Sequence, residues 1–239
     1  MTNKNAVTVP ESAQTLPLAI PDEVVTALDK WAEIGVQSQA IAGIRRAFVQ
    51  GAVTYNLTQL LTPQAMENIM WLQNNPMGFC TDQPAGYNMD TVRFCVIQAA
   101  TQGLQVVGNE FNILAGRMYV TKNGMKRMLR KIPGLRYHAT AGIPKFNESG
   151  AVVAMTNEWT YNGEKNSKTL EFSIRVNKGM GADAVIGKAT RKALAWLYEE
   201  VTGNAADEGE AADMADVITV GSEAPRKAQN QSADNFDLM

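Results

Sequence analysis

Five cations crowd one short stretch of this chain: Lys122, Lys126 and Arg130 recur every four residues, and Arg127 and Lys131 lie among them. On a helix that spacing sets the first three along one side, with Met125, Met128, Leu129 and Ile132 as an apolar stripe on the other. Like charges four residues apart repel by roughly 0.2–0.5 kcal/mol a pair. No acid relieves them, because Arg117 to Lys145 holds eight Lys/Arg and no Asp or Glu. Such a helix suits phosphate groups, and its plain alternative is a solvated face. A second set, Lys188, Arg191 and Lys192, repeats the arrangement at i, i+3 and i+4, backed by Val185, Ala189, Leu194 and Leu197.

Charge is sorted along the whole chain. Residues 1–116 carry a net −4, residues 117–198 a net +10 and residues 199–239 a net −8, so the overall −2 conceals a basic middle and an acidic end. A segregated pattern of this kind reads as a polyanion-binding surface with a solvated acidic extension.

Other chemistries have little to work with. The single histidine, His138, sits in strand-like alternation and reads as a sheet-surface residue. A multi-histidine metal site is thereby excluded. Gly179-Met-Gly181 lacks the Gly-Lys-Ser/Thr that completes a phosphate loop. Cys80 and Cys95 lack metal-type spacing and read as reduced thiols, Cys95 buried on a helix. No enzyme activity and no cofactor are expected. No apolar run approaches the roughly 20 residues needed to span a bilayer, and the polar residues 1–14 lack the apolar core of a signal peptide, so a cytoplasmic protein is expected.

The elements that must position these cations read as an α+β domain over residues 21–202, helical to residue 88 and built of short strands and basic helices after it. Residues 1–20 read as disordered and residues 203–239 as a flexible acidic tail. Pro21 with Asp22 and Glu23 opens a helix that sets Val25, Leu28 and Ala32 on one face. Another is expected over residues 38–61, and a third from Thr62-Pro63 to Asn74. Asp90 opens a helix to Gly103 that is core nearly all round, with Phe94, Ile97, Val92, Cys95, Val96 and Ala99. Short strands follow at residues 111–114 and 117–120, then the basic helix at 122–132, stopped by Pro133-Gly134. Residues 135–146, 151–161 and 169–176 read as a β-meander with turns at 147–150 and Asn162-Gly163, and a last helix covers 182–201.

Aromatic residues lie among the cations: Tyr119, Tyr137, Phe146, Trp159, Tyr161 and Phe172. Base stacking on such rings contributes roughly 1–3 kcal/mol per base and is indifferent to sequence, which suits single-stranded nucleic acid. Alternation sends about half of them inward, and Phe172 and Tyr161 read as core. The expected nucleic-acid contacts are therefore Arg117, Lys122, Lys126, Arg127, Arg130, Lys131 and Arg136 in the basic stretch, and Lys188, Arg191 and Lys192 in the last helix. Tyr119, Tyr137 and Trp159 are the expected stacking rings.

Three segments resemble the RecT/Redβ group of phage single-strand annealing proteins. Phe94-Cys-Val-Ile-Gln-Ala-Ala-Thr-Gln-Gly-Leu104 is similar to that family's helix closing on a Gly-Leu step. Asn123-Gly-Met-Lys-Arg-Met-Leu129 resembles its glycine-led basic helix, and Gly187-Lys-Ala-Thr-Arg-Lys-Ala-Leu-Ala-Trp-Leu197 its Lys-Ala-rich helix. The likeness spans roughly residues 90–205; the proline that often follows the Gly-Leu step is replaced by Gln105-Val-Val-Gly. It implies a β-sheet and helix core that assembles into rings or helical filaments around DNA, with Lys188 and Arg127 the basic residues carried over by position. It also implies ATP-independent annealing of complementary strands in phage recombination within a bacterial cell. The implied partners are single-stranded DNA, the annealed duplex and further copies of the chain. A phage exonuclease or host single-strand binding protein would meet the tail, whose Phe236-Asp-Leu-Met239 end is the candidate docking peptide. The rival reading is a virion or scaffold assembly protein whose basic and acidic segments pair between subunits.

Overall fold

A computed structural model describes residues 20–148, 150–177 and 179–205, and the backbone of 217–219. The expectations for the first 19 residues and for the Phe236-Met239 peptide lie outside these. Three helices lead. α1 (Asp22–Ser38) starts after Pro21 with two acids in its first turn, where the helix dipole favours them. α2 (Ile44–Leu60) begins six residues later than the sequence reading placed it. Gly43, at φ 68° and ψ −158°, holds a conformation that a side chain would oppose, and it separates the two helices. α3 (Pro63–Met70) is capped by Thr62, whose hydroxyl accepts from the Ala65 amide, and stops four residues short of Asn74. There the chain doubles back: the Phe79 amide donates to the Leu72 carbonyl and the Asn74 amide to that of Phe79.

α4 (Met89–Thr101), capped by Asn88, runs through the middle and buries Val92, Cys95, Val96, Ile97 and Ala99. The expectation of a helix buried all round fails at Phe94, which is 59% exposed. Burial pushes the Cys95 thiol up to about 11, so it stays protonated, while Cys80 is exposed; both are free. β1 (Phe111–Leu114) and β2 (Arg117–Val120) form a small antiparallel hairpin with the expected bounds. Its turn is held from the side by Asp82, which accepts from the Ala115 amide at 3.0 Å and from the Tyr87 hydroxyl at 2.7 Å. These bonds, the Tyr87 one foremost, hold the Asp82 carboxyl below its ordinary range.

α5 (Lys122–Arg130) follows, then a larger antiparallel sheet ordered β3-β5-β6-β7, with β4 also on β5. The expected strand at 135–146 is two, β3 (Arg136–Ala141) and β4 (Lys145–Phe146), parted by a segment containing Gly142 and Pro144. β5 (Gly150–Tyr161) and β6 (Glu164–Arg175) pair along their full length through a two-residue turn, Asn162 (φ 52°) and Gly163 (φ 84°). β6 thus starts five residues before the apolar alternation that marks it in sequence. α6 (Ala182–Thr202) lies across the sheet and joins two cores. Val185, Ala189 and Ala193 pack on Val153, Met155, Leu170 and Phe172, whereas Leu194 and Leu197 pack with α4, β1, β2 and α5. Within the stretch read as a flexible tail, β7 (Val217–Thr219) pairs with Leu170–Phe172 of β6. Among the described residues no helix is long and apolar enough to cross a membrane.

Candidate nucleic-acid interface

α5 is amphipathic as its spacing predicts. Met125, Met128 and Leu129 are buried, Lys122 and Arg130 are exposed, and Lys126 is half-exposed between them. Thr121 caps the helix by accepting from the Gly124 amide at 3.3 Å. A close backbone crossing fixes its position. A side-chain carbon on Gly124 would stand 2.1 Å from the Glu110 carbonyl oxygen, which itself accepts from the Thr121 amide at 3.1 Å.

The last turn of α5 faces the end of α4. Lys131 Nζ donates to the Gly103 carbonyl at 2.8 Å and Arg127 Nε to the same oxygen at 3.2 Å. Two cations thereby satisfy the negative C-terminal end of a helix. Arg127 also pairs with Glu110, Nη1 to Oε1 at 3.2 Å. The pair is largely shielded, with side-chain exposures of 32% and 11%. These groups line an open depression of about 590 Å³ together with Asn123, Lys126 and Arg130. It holds four cations and one carboxylate. Burial, and then the Arg127 charge, lower the Lys131 pKa, with Glu110 opposing. An anion in the depression would relieve that crowding, which is the chemistry of a phosphate site.

A second cationic group lies on the sheet. Burial raises the Tyr137 pKa, and the Arg130 charge opposes it. Tyr137 and Arg136 open β3 and line a second hollow of about 550 Å³ with His138, Glu158, Trp159, Thr160 and Lys165, so it holds two cations and one carboxylate. Arg136 is in register with Thr160, and Thr160 with Lys165, so the two cations share one face across three strands. Lys165 was not among the expected contacts. The Asn162-Gly163 turn could have revealed it, since a two-residue hairpin fixes which residues face each other.

The last helix overturns its expectation. Arg191 is 4% exposed; its Nε donates to the Val120 carbonyl at 3.0 Å, and its guanidinium lies 4.0 Å from the centre of the Tyr119 ring. It fastens α6 to β2, so Arg191 is not presented to a ligand, and it covers one face of the half-buried Tyr119 ring. Lys192 Nζ reaches the Ser173 carbonyl at 3.1 Å and Lys188 Nζ that of Arg175 at 3.5 Å, both on β6 beyond the residues that β7 pairs. Arg191 is thereby withdrawn from any track shared by the two basic helices, while half-exposed Lys188 and Lys192 each give a hydrogen bond to a β6 carbonyl. Arg127, carried over as a free contact, is half committed to Glu110. Arg117 is exposed at the β1–β2 turn and Lys122 at the start of α5, and neither lines the two hollows. Trp159 is half-buried and meets Trp196 edge-on at 5.7 Å, leaving part of its surface in the second hollow. His138 lies on the exposed face of β3 opposite Glu158.

Arg191→Ala is expected to lower stability by about 3 kcal/mol, since it strands a buried carbonyl and removes a ring contact. A thermal melt checks this, with oligonucleotide affinity well below the melting point unchanged. Among the described residues no group of His, Cys, Asp or Glu is placed to hold a metal ion. Comparison with family models, with curated proteins and with solved structures returned no match.

Proposed function

We propose that the protein binds single-stranded DNA and anneals complementary strands without a nucleotide cofactor, as a homo-oligomer akin to the RecT/Redβ annealing proteins it resembles. One observation carries the reading: Lys126, Arg127, Arg130 and Lys131 line one open depression in which Glu110 is the single carboxylate. Such a cluster replaces counterions along a sugar-phosphate chain, and the half-exposed rings of Tyr137 and Trp159, which line the separate hollow on the sheet, offer surfaces on which bases can stack. A second strand is then tested by base pairing while both lie on the same surface. The stability of the product comes from the bases; the protein contributes proximity and charge screening.

Mixing the protein with two complementary labelled oligonucleotides, without nucleotide, is expected to speed duplex formation well above the protein-free rate at low salt. Equal rates with and without protein would remove annealing, and an oligonucleotide that does not bind would remove the whole reading.

A further inference from the structure

A third hollow is built from different chemistry. It lies where α2, α4 and the C-terminal end of α6 meet, measures about 460 Å³, and is lined by no lysine and no carboxylate. Its polar groups are mostly amides, among them Gln50, Gln98 and Gln102. An amide carries a donor and an acceptor side by side, which is the pattern needed to meet the edge of a nucleobase. The Oε1 of Gln102 is buried and has no hydrogen-bond partner among the described residues. A buried acceptor left unmet is costly, so this oxygen calls for a donor from beyond the described residues, which a ligand can bring.

An aromatic ring stands at the same place. Phe94 lines the hollow and is 59% exposed, although its neighbours Val92, Cys95 and Val96 on the same helix are buried. At the rim, Arg46 donates to Asn204 Oδ1 at 3.2 Å and to Gln39 Oε1, which fixes its guanidinium; burial raises the pKa of the nearby Tyr198 hydroxyl, with the Thr202 hydrogen bond and the Arg46 charge opposing. An adjoining hollow of about 590 Å³ is lined by Arg46, Gln102 and Lys131, and Lys131 also lines the α5 depression. The adjoining hollow thus shares residues with the amide hollow on one side and Lys131 with the phosphate depression on the other.

We propose that this hollow is a nucleobase site, taking one unstacked base of a bound single strand. The base stacks on Phe94 and donates to Gln102 Oε1, and its phosphate lies against Arg46. Every base can supply that donor, from an exocyclic amine or a ring N–H, so the site is indifferent to sequence. Those donors belong to the pairing edge. A base held here is therefore withheld from its complement until it leaves.

The inference rests on the nucleic-acid reading above and deepens it. The test compares two oligonucleotides of equal length and charge, one with bases and one abasic, on the wild type, on Phe94→Ala and on Gln102→Met, with thermal melts as a check of folding. The wild type is expected to bind the base-bearing strand at least about tenfold more tightly. Both variants are expected to lower that ratio several-fold, leaving abasic affinity and its salt dependence unchanged. Equal wild-type affinity for the two strands, or a ratio untouched in folded Phe94→Ala, would overturn the base site while the cationic surface stood. Failure of both strands to bind would overturn the nucleic-acid reading and this site with it.

Discussion

Replacing Lys126 and Arg130 together by glutamate is expected to reduce affinity for a single-stranded oligonucleotide by about 100-fold or more at low salt. The two substitutions change the local charge by four units in a depression whose only carboxylate, Glu110, already answers Arg127. A unit charge about 4 Å from a phosphate contributes roughly 1 kcal/mol in water and more near a protein surface, so four units outweigh the tenfold step of about 1.4 kcal/mol at least twice over. The fold should withstand the change. Neither side chain makes a hydrogen bond or ion pair with the described residues, and the new carboxylates sit near Lys122, Arg127 and Lys131. Filter binding or fluorescence anisotropy reads the loss, and circular dichroism confirms that the variant is folded. Affinity within a few-fold of wild type would mean that the depression takes no part.

Gly124→Ala is expected to produce a large loss of stability from a single methyl group. Two effects oppose each other. Helix propensity favours alanine by about 1 kcal/mol. Against it stands a carbon 2.1 Å from the Glu110 carbonyl oxygen and 2.8 Å from Val120 Cγ1, neither of which is the far end of a flexible chain. Relief requires the α5 backbone to move off β2, breaking the Thr121-to-Glu110 hydrogen bond and shifting the carboxylate that holds Arg127. Overpacking of this kind costs about 3 kcal/mol or more and wins, for a net loss of about 2 kcal/mol. For a chain of this size that corresponds to roughly 6 °C in melting temperature, which calorimetry resolves. A melting point equal to or above wild type would show that propensity dominates and that the crossing is loose.

Much of this arrangement was legible in the residues. The hairpin of β1 and β2, the reach of α6 and the amphipathic character of α5 follow from patterns that burial enforces over whole elements, such as Phe111, Ile113, Met118 and Val120 pointing inward. What escaped has physical reasons. The first five residues of β6 are polar on both faces, so no alternation marks them, and only their pairing with β5 makes them a strand. Arg191 carries the same charge as Lys188 and Lys192, and helical spacing alone does not separate a guanidinium laid on Tyr119 from one facing solvent. Its position is set by β2, whose Val120 carbonyl lies 71 residues before it in sequence. Phe94 was read as core because its neighbours are apolar; the gap beside it exists only once α2 and the end of α6 are placed. Lys165 joined the cationic face through strand register, a relation between three segments.

The most direct test of the account is the salt dependence of oligonucleotide binding. Five cations line the proposed path, Lys126, Arg130, Lys131, Arg136 and Lys165. At about 0.7 per phosphate on a single strand, log affinity plotted against log salt is expected to fall with a slope of roughly −3.5 per subunit. The Lys126→Glu and Arg130→Glu variant should give a distinctly shallower line. A flat response in the wild type, or the same slope in both proteins, would contradict the claim that this surface carries a sugar-phosphate chain.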